Sequence, residues 1–146
     1  MQLRHSIDIH APPATVYEWF LHLDRHYRQW HPDHRDCCWL KGDGTNVGDV
    51  LFASEILHGV LHRLRFRMTR IEPGRFMGFR VLGLIGLLVP TGYFSVEPTA
   101  VGARFCAGLQ VRGGWLLRFL MPGHYRALTT HMREEGENLK QLLEQS

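Results

Sequence analysis

Cysteine, lysine and long apolar runs are all scarce in this chain of 146 residues. Its three cysteines, two of them adjacent at Cys37 and Cys38, cannot form a balanced disulfide framework, and no C-x-x-C spacing appears. A reducing cytoplasm is the expected location. The longest apolar run, Val81 to Val89, falls far short of the roughly 20 residues that a membrane-spanning helix needs. The N-terminus also lacks the charged start and apolar core of a signal peptide, so a soluble protein with no membrane partner is expected. Lysine is limited to Lys41 and Lys140, and the net charge of +3 comes from arginines scattered along the chain. Without a basic tail, and with Arg63, Arg65 and Arg67 reading as a solvated strand face that lacks interleaved aromatics, nucleic acid is not an expected partner. P-loop, dinucleotide fingerprint, nucleophile elbow, internal repeats and low-complexity tracts are absent as well.

The residues that are present suit one domain with its own core, since 45% are hydrophobic. Leu3, His5, Ile7 and Ile9 alternate with polar residues, the period of a half-buried strand. Pro12 and Pro13 end it, and helical spacing follows in Val16, Trp19, Phe20 and Leu23. From about His34 to Gln110 strand patterns are separated by turn signals at Gly42-Asp43-Gly44, His58-Gly59, Pro73-Gly74 and Thr99 to Gly102, which fits an antiparallel meander. Gly83 to Leu88 breaks that rhythm and reads as a loop or lid. An apolar stretch, Trp115 to Met121, precedes a helix of about 20 residues running to the C-terminus. The order of elements implies an α+β fold in which a curved antiparallel sheet wraps a long terminal helix.

That helix carries the strongest chemical signal. At about 100° per residue, Met132, Glu135, Leu139 and Leu142 fall within roughly 40° of one line, with His131 at its edge. A carboxylate in an apolar seam costs several kcal/mol unless a counter-charge, hydrogen bonds or a metal ion meets it. His131 and Glu135, one turn apart, could therefore form half of a metal site.

The opening I-D-I-H-A-P-P-A-T-V-Y-E-W-F of Ile7 to Phe20 resembles the START-like, or Bet v 1-like (SRPBCC), superfamily, whose members often begin with a strand, a proline and a turn into a helix. The resemblance covers nearly the whole chain and implies a single START-like domain, 1–146, with the helix-grip fold. A narrower resemblance rests on Trp30-His31-Pro32-Asp33-His34, Glu55 and the H-x-x-x-E of His131 to Glu135. These look like the diacetylphloroglucinol hydrolase group, whose members hold zinc with two histidines and two glutamates. Carried over, that resemblance implies a zinc ion, or another divalent metal, on His34, Glu55, His131 and Glu135.

The residues themselves leave several points open. Either His31 or His34 could be the first ligand, and His34 is preferred because it starts a strand. Glu55 lies where apolar residues occupy both parities, so it faces inward only if Leu51, Ala53 and Leu57 do. His62 shares a parity with Leu64, Phe66 and Met68 and is expected to face the core, as an acid/base group or a satisfied core histidine. Tyr93 and Tyr125 could present hydroxyls to a substrate or simply pack. The expected function is a zinc-dependent hydrolase removing an acyl group from a small aromatic or polyketide-like substrate. The alternative is a metal-free carrier or polyketide cyclase-like domain for a small hydrophobic molecule, with Val81 to Val89 as lid or homodimer contact.

Overall fold

A computed structural model describes residues 1–145. Strand β1 (Gln2–Ile9) leads through Pro12 into helix α1 (Pro13–Leu21), followed at once by α2 (Leu23–Trp30). Pro13 occupies the first helical turn, where its missing N–H costs no hydrogen bond. Strands β2 (His34–Lys41), β3 (Val50–Leu57), β4 (Val60–Glu72), β5 (Phe76–Val81), β6 (Thr91–Pro98) and β7 (Ala103–Gln110) then form the meander. Helix α3 (Gly114–Leu120) and the long α4 (Pro122–Glu144) complete the chain. Among the described residues, no helix is long and apolar enough to cross a membrane.

The strands make one seven-stranded sheet in the order β1-β7-β6-β5-β4-β3-β2, antiparallel throughout. Pairing of β1 with β7 brings the chain's first strand beside its last, and α4 packs across β1. Gly136 permits that crossing, because a Cβ there would lie 2.7 Å from the His5 ring. The α+β helix-grip arrangement is thus the one the pattern implies. The core beneath it joins Ile9, Val16, Phe20, Trp30, Met68, Val96, Phe105 and Leu139.

Two segments gain detail in the structure. Gly83 to Leu88 contains a 3-10 turn, Leu84–Leu87, anchored where the Leu82 N–H meets the Arg65 carbonyl and the Val81 N–H meets the Pro90 carbonyl. The apolar stretch after Gly114 is helical, yet Trp115, Phe119 and Leu120 point into solvent. Cys38, whose residue type favours packing, is exposed.

Candidate metal centre and cavity

Cross-strand register builds half of the site. In β2 and β3, His34 stands opposite Glu55, and Glu55 in turn stands opposite His62 of β4. Residues paired this way share a face of the sheet, so Glu55 follows Leu51 and Ala53, both buried, to the inner side. Helix α4 supplies the other half from consecutive turns, with His131 buried and the Glu135 side chain only 16% exposed.

The donor atoms of His34, Glu55, His131 and Glu135 all lie within 4.8 Å of one another. His34 Nε2 is 2.9 Å from Glu135 Oε2, 3.5 Å from Glu55 Oε2 and 3.3 Å from His131 Nε2. His131 Nε2 is 3.2 Å from Glu55 Oε2 and 3.3 Å from Glu135 Oε2. Zinc holds nitrogen and oxygen donors at about 2.0–2.1 Å, and a tetrahedron of that size has edges of about 3.3 Å. The five spacings scatter around that edge length. His31 stays outside this group. Its ring packs 4.2 Å from that of His131, and its Nδ1 accepts the Asp33 N–H.

Tautomer and charge agree with the distances. His34 Nδ1 lies 2.8 Å from the Tyr27 carbonyl, which can only accept, so Nδ1 carries the hydrogen. In the neutral ring, Nε2 then turns a lone pair toward the Glu135 carboxylate and the second imidazole. Two carboxylates and two such nitrogens require about two positive charges between them, as protons or as one divalent ion. Burial pushes the pKa of His131 down, but hydrogen bonds and charge from Glu135 and Glu55 outweigh it and raise the value. Burial likewise pushes Glu135 up, and His131 and His34 outweigh that to hold it below the usual carboxylate range.

Neighbouring groups hold the donors in place. The Tyr27 ring stacks flat on His34, with centroids 3.8 Å apart, and its hydroxyl donates to Glu55 Oε2 at 3.3 Å. Trp30 Nε1 donates to the Glu135 carbonyl at 2.8 Å, and Asn138 donates to the Trp30 carbonyl. His131 Nδ1 is buried without a hydrogen-bond partner among the described residues and sits 4.0 Å from Asp33 Oδ2. Tyr27 was absent from the sequence-derived candidates, although Leu23, Tyr27 and Trp30 share one helical face.

Three members of the cluster, Glu55, His131 and Glu135, line a cavity of about 240 Å3 between sheet and α4, with His34 packed behind them. Its walls are apolar, including Phe20, Trp39, Phe66, Phe79, Phe94 and Met132, and the added polar groups are Tyr27, His62 and His124. The two tyrosines proposed for substrate lie elsewhere. Phe94 and Val96 point inward, so Tyr93 points out by strand parity; there it stacks on Phe76, its hydroxyl 3.6 Å from Cys106 Sγ. Tyr125 packs against the small cluster of Leu3, Val111, Leu117 and Met132.

Solved structures share this architecture. The Zhui aromatase/cyclase from Streptomyces sp. R1128 superposes with a TM-score of 0.76 at 13% identity, covering 99% of this chain and 94% of that one. Ara h 8.0201 gives 0.73 at 11% identity over 100% and 99%. The di-domain ARO/CYC StfQ from the steffimycin biosynthetic pathway gives 0.75 at 15% identity, with this chain covering 99% of itself and 50% of the larger protein. At these identities the likeness establishes the fold. No curated protein matches the sequence. A family profile described as polyketide cyclase / dehydrase and lipid transport matches residues 1–144, and to that family the chain belongs.

Proposed function

We propose that this protein binds a small aromatic or polyketide-like molecule in the cavity and holds a divalent cation, zinc by donor type, at the cavity's polar end. The observation that carries the reading is the convergence of two imidazoles and two carboxylates, a set that needs protons or a cation between its members, beside an apolar pocket. A volume near 240 Å3 is at the small end for ligand sites and suits one or two rings. Aromatic walls orient a flat ligand, and the polar end selects an oxygen substituent to meet it.

A second reading is an acyl hydrolase similar to the diacetylphloroglucinol hydrolase group, favoured by the same donor set facing a cavity. A bound divalent ion would supply Lewis acidity at an acyl oxygen and acidify a water molecule. Water would add to the acyl carbon, the bond to the ring would break, and the ring carbon would take a proton, giving a carboxylic acid and the deacylated ring. His62, opposite Glu55 on the adjacent strand, is the residue proposed to hold that proton at the cavity wall. Four protein donors make a closed coordination shell. Turnover therefore requires one carboxylate to let go, and Glu55, retained by the Tyr27 hydroxyl, is the one with a second partner. That requirement places binding ahead of hydrolysis.

Elemental mass spectrometry of chelator-free protein tests the cation, with near-stoichiometric zinc expected for wild type and none for Glu135→Gln. Metal-free wild-type protein would sink both the cation and the hydrolase. Titration with acylated phenols, followed by tryptophan fluorescence and product analysis, separates binding alone from turnover.

A further inference from the structure

The polar end of the cavity accounts for one side of the molecule, and the opposite end is exposed in an unusual way. Leu88 and Met121 both line the cavity and are open to solvent, so the cavity opens between the 3-10 turn and the start of α4. Next to these two positions in the chain, the 3-10 turn exposes Leu84 at 86% and Leu87 at 64%, and α3 exposes Trp115 at 68%, Phe119 at 71% and Leu120 at 67%. Large apolar side chains this exposed, contributed by separate elements to one rim, mark an interaction surface. Trp115 and Phe119 lie one turn apart on α3 and project from the same side.

The charge that the stretch from β7 into α4 contributes has one sign. No Asp or Glu occurs between Glu97 and Glu134, whereas Arg112, Arg118 and Arg126 fall within that interval. The Arg112 N–H bonds the Leu88 carbonyl, tying this arginine's backbone to the end of the 3-10 turn. Arg118 lies 5.7 Å from the Phe119 ring, and Arg65 flanks Gly83 on the other side. A second copy of the chain is a poor occupant, since a two-fold contact would set arginine rim against arginine rim with no acid between them.

We propose that this rim docks on an anionic lipid surface, with Trp115, Phe119 and Leu120 entering the headgroup region and Arg112, Arg118 and Arg126 meeting lipid phosphates. Amphipathic elements combining tryptophan, phenylalanine and leucine with arginine lie at such interfaces. Docked this way, the cavity mouth faces the phase in which an apolar ligand dissolves. The absence of a spanning helix does not bear on such peripheral contact. The proposal uses only the position of the mouth, so loss of cation or ligand binding leaves it standing.

The full chain, purified as folded, is tested by vesicle flotation on phosphatidylcholine alone and on phosphatidylcholine with about one-third phosphatidylglycerol. Binding is expected on the anionic vesicles, with a blue shift of tryptophan emission, and release at high salt. Arg112→Gln with Arg118→Gln should weaken it by about thirtyfold, near fivefold per charge. Trp115→Ser with Phe119→Ser should abolish the blue shift, circular dichroism serving as the folding control for these exposed positions. No flotation, equal flotation on neutral vesicles, or unchanged binding in both variants would overturn the proposal. So would a dimer in solution that the Trp115/Phe119 variant splits while vesicles fail to bind, which would give the rim to a second copy. Saturable binding of an acidic protein without flotation would overturn it in favour of a protein partner.

Discussion

His34 Nε2 faces Glu135 Oε2 at 2.9 Å while its other ring nitrogen donates to the Tyr27 carbonyl, so the edge facing the carboxylate is the unprotonated one in the neutral ring. A divalent ion would take the place of the protons that the metal-free donor set needs. Zinc should therefore raise the melting temperature of the wild-type protein, and the rise should grow with zinc concentration as binding to the folded state alone requires. Glu135→Gln, or His34→Ala with His131→Ala, should show no such rise. A zinc response equal in all three would mean that the ion binds elsewhere.

Tyr27→Phe keeps the ring stacked on His34 and removes only the hydroxyl that reaches Glu55. Groups that orient metal ligands through hydrogen bonds are worth about 10–100-fold in affinity. Zinc affinity should fall by roughly tenfold, with the fold intact by circular dichroism. Unchanged affinity in a competition assay with a chromogenic chelator would show that Glu55 needs no such restraint.

Metal-free protein should have a defined pH optimum of stability. His131 is raised from 6.5 to about 10, so its contribution is complete below 6.5 and is lost as pH rises through about 10. Glu135 is lowered from 4.5 to about 2, so its contribution is complete above 4.5 and is lost as pH falls through about 2. Both are present in full between 4.5 and 6.5. Urea midpoints of the chelator-treated protein should peak in that window. A midpoint that stays flat as pH rises through the alkaline limb would remove the His131 ion pairs.

Gly136→Ala should destabilise the protein despite alanine's helix preference. The new methyl group would sit 2.7 Å from His5 Cδ2, with Ile7 at 3.6 Å blocking one way out. Overpacking costs about 1–3 kcal/mol, against a gain of about 1 kcal/mol in helix propensity. A net loss of about 1 kcal/mol is expected from denaturant unfolding, and a more stable variant would show that His5 swings aside freely.

The sheet and α4 were legible because their periods differ, two for strands and 3.6 for the helix. Glu135 stood out for the same reason, being charged at an apolar phase. Glu55 was not legible from alternation, since Val50 to Leu57 is apolar on both parities and only pairing with His34 and His62 fixes its face. Tyr93 lies one position before the inward Phe94 and so faces the other side of the sheet. The α3 segment reads only as an apolar stretch, and solvent exposure of Trp115 and Phe119 is a tertiary property that no local pattern encodes.

His34, Glu55 and His62 occupy one transverse row across three adjacent strands. Inserting or deleting a single residue in β3 ahead of Glu55 would reverse the parity of that strand and carry its carboxylate to the outside, while every neighbouring amide still found a partner. Such a chain could fold, keep its backbone hydrogen bonds and lose the centre altogether, which makes length changes within β3 more damaging to the site than most exchanges of one side chain for another.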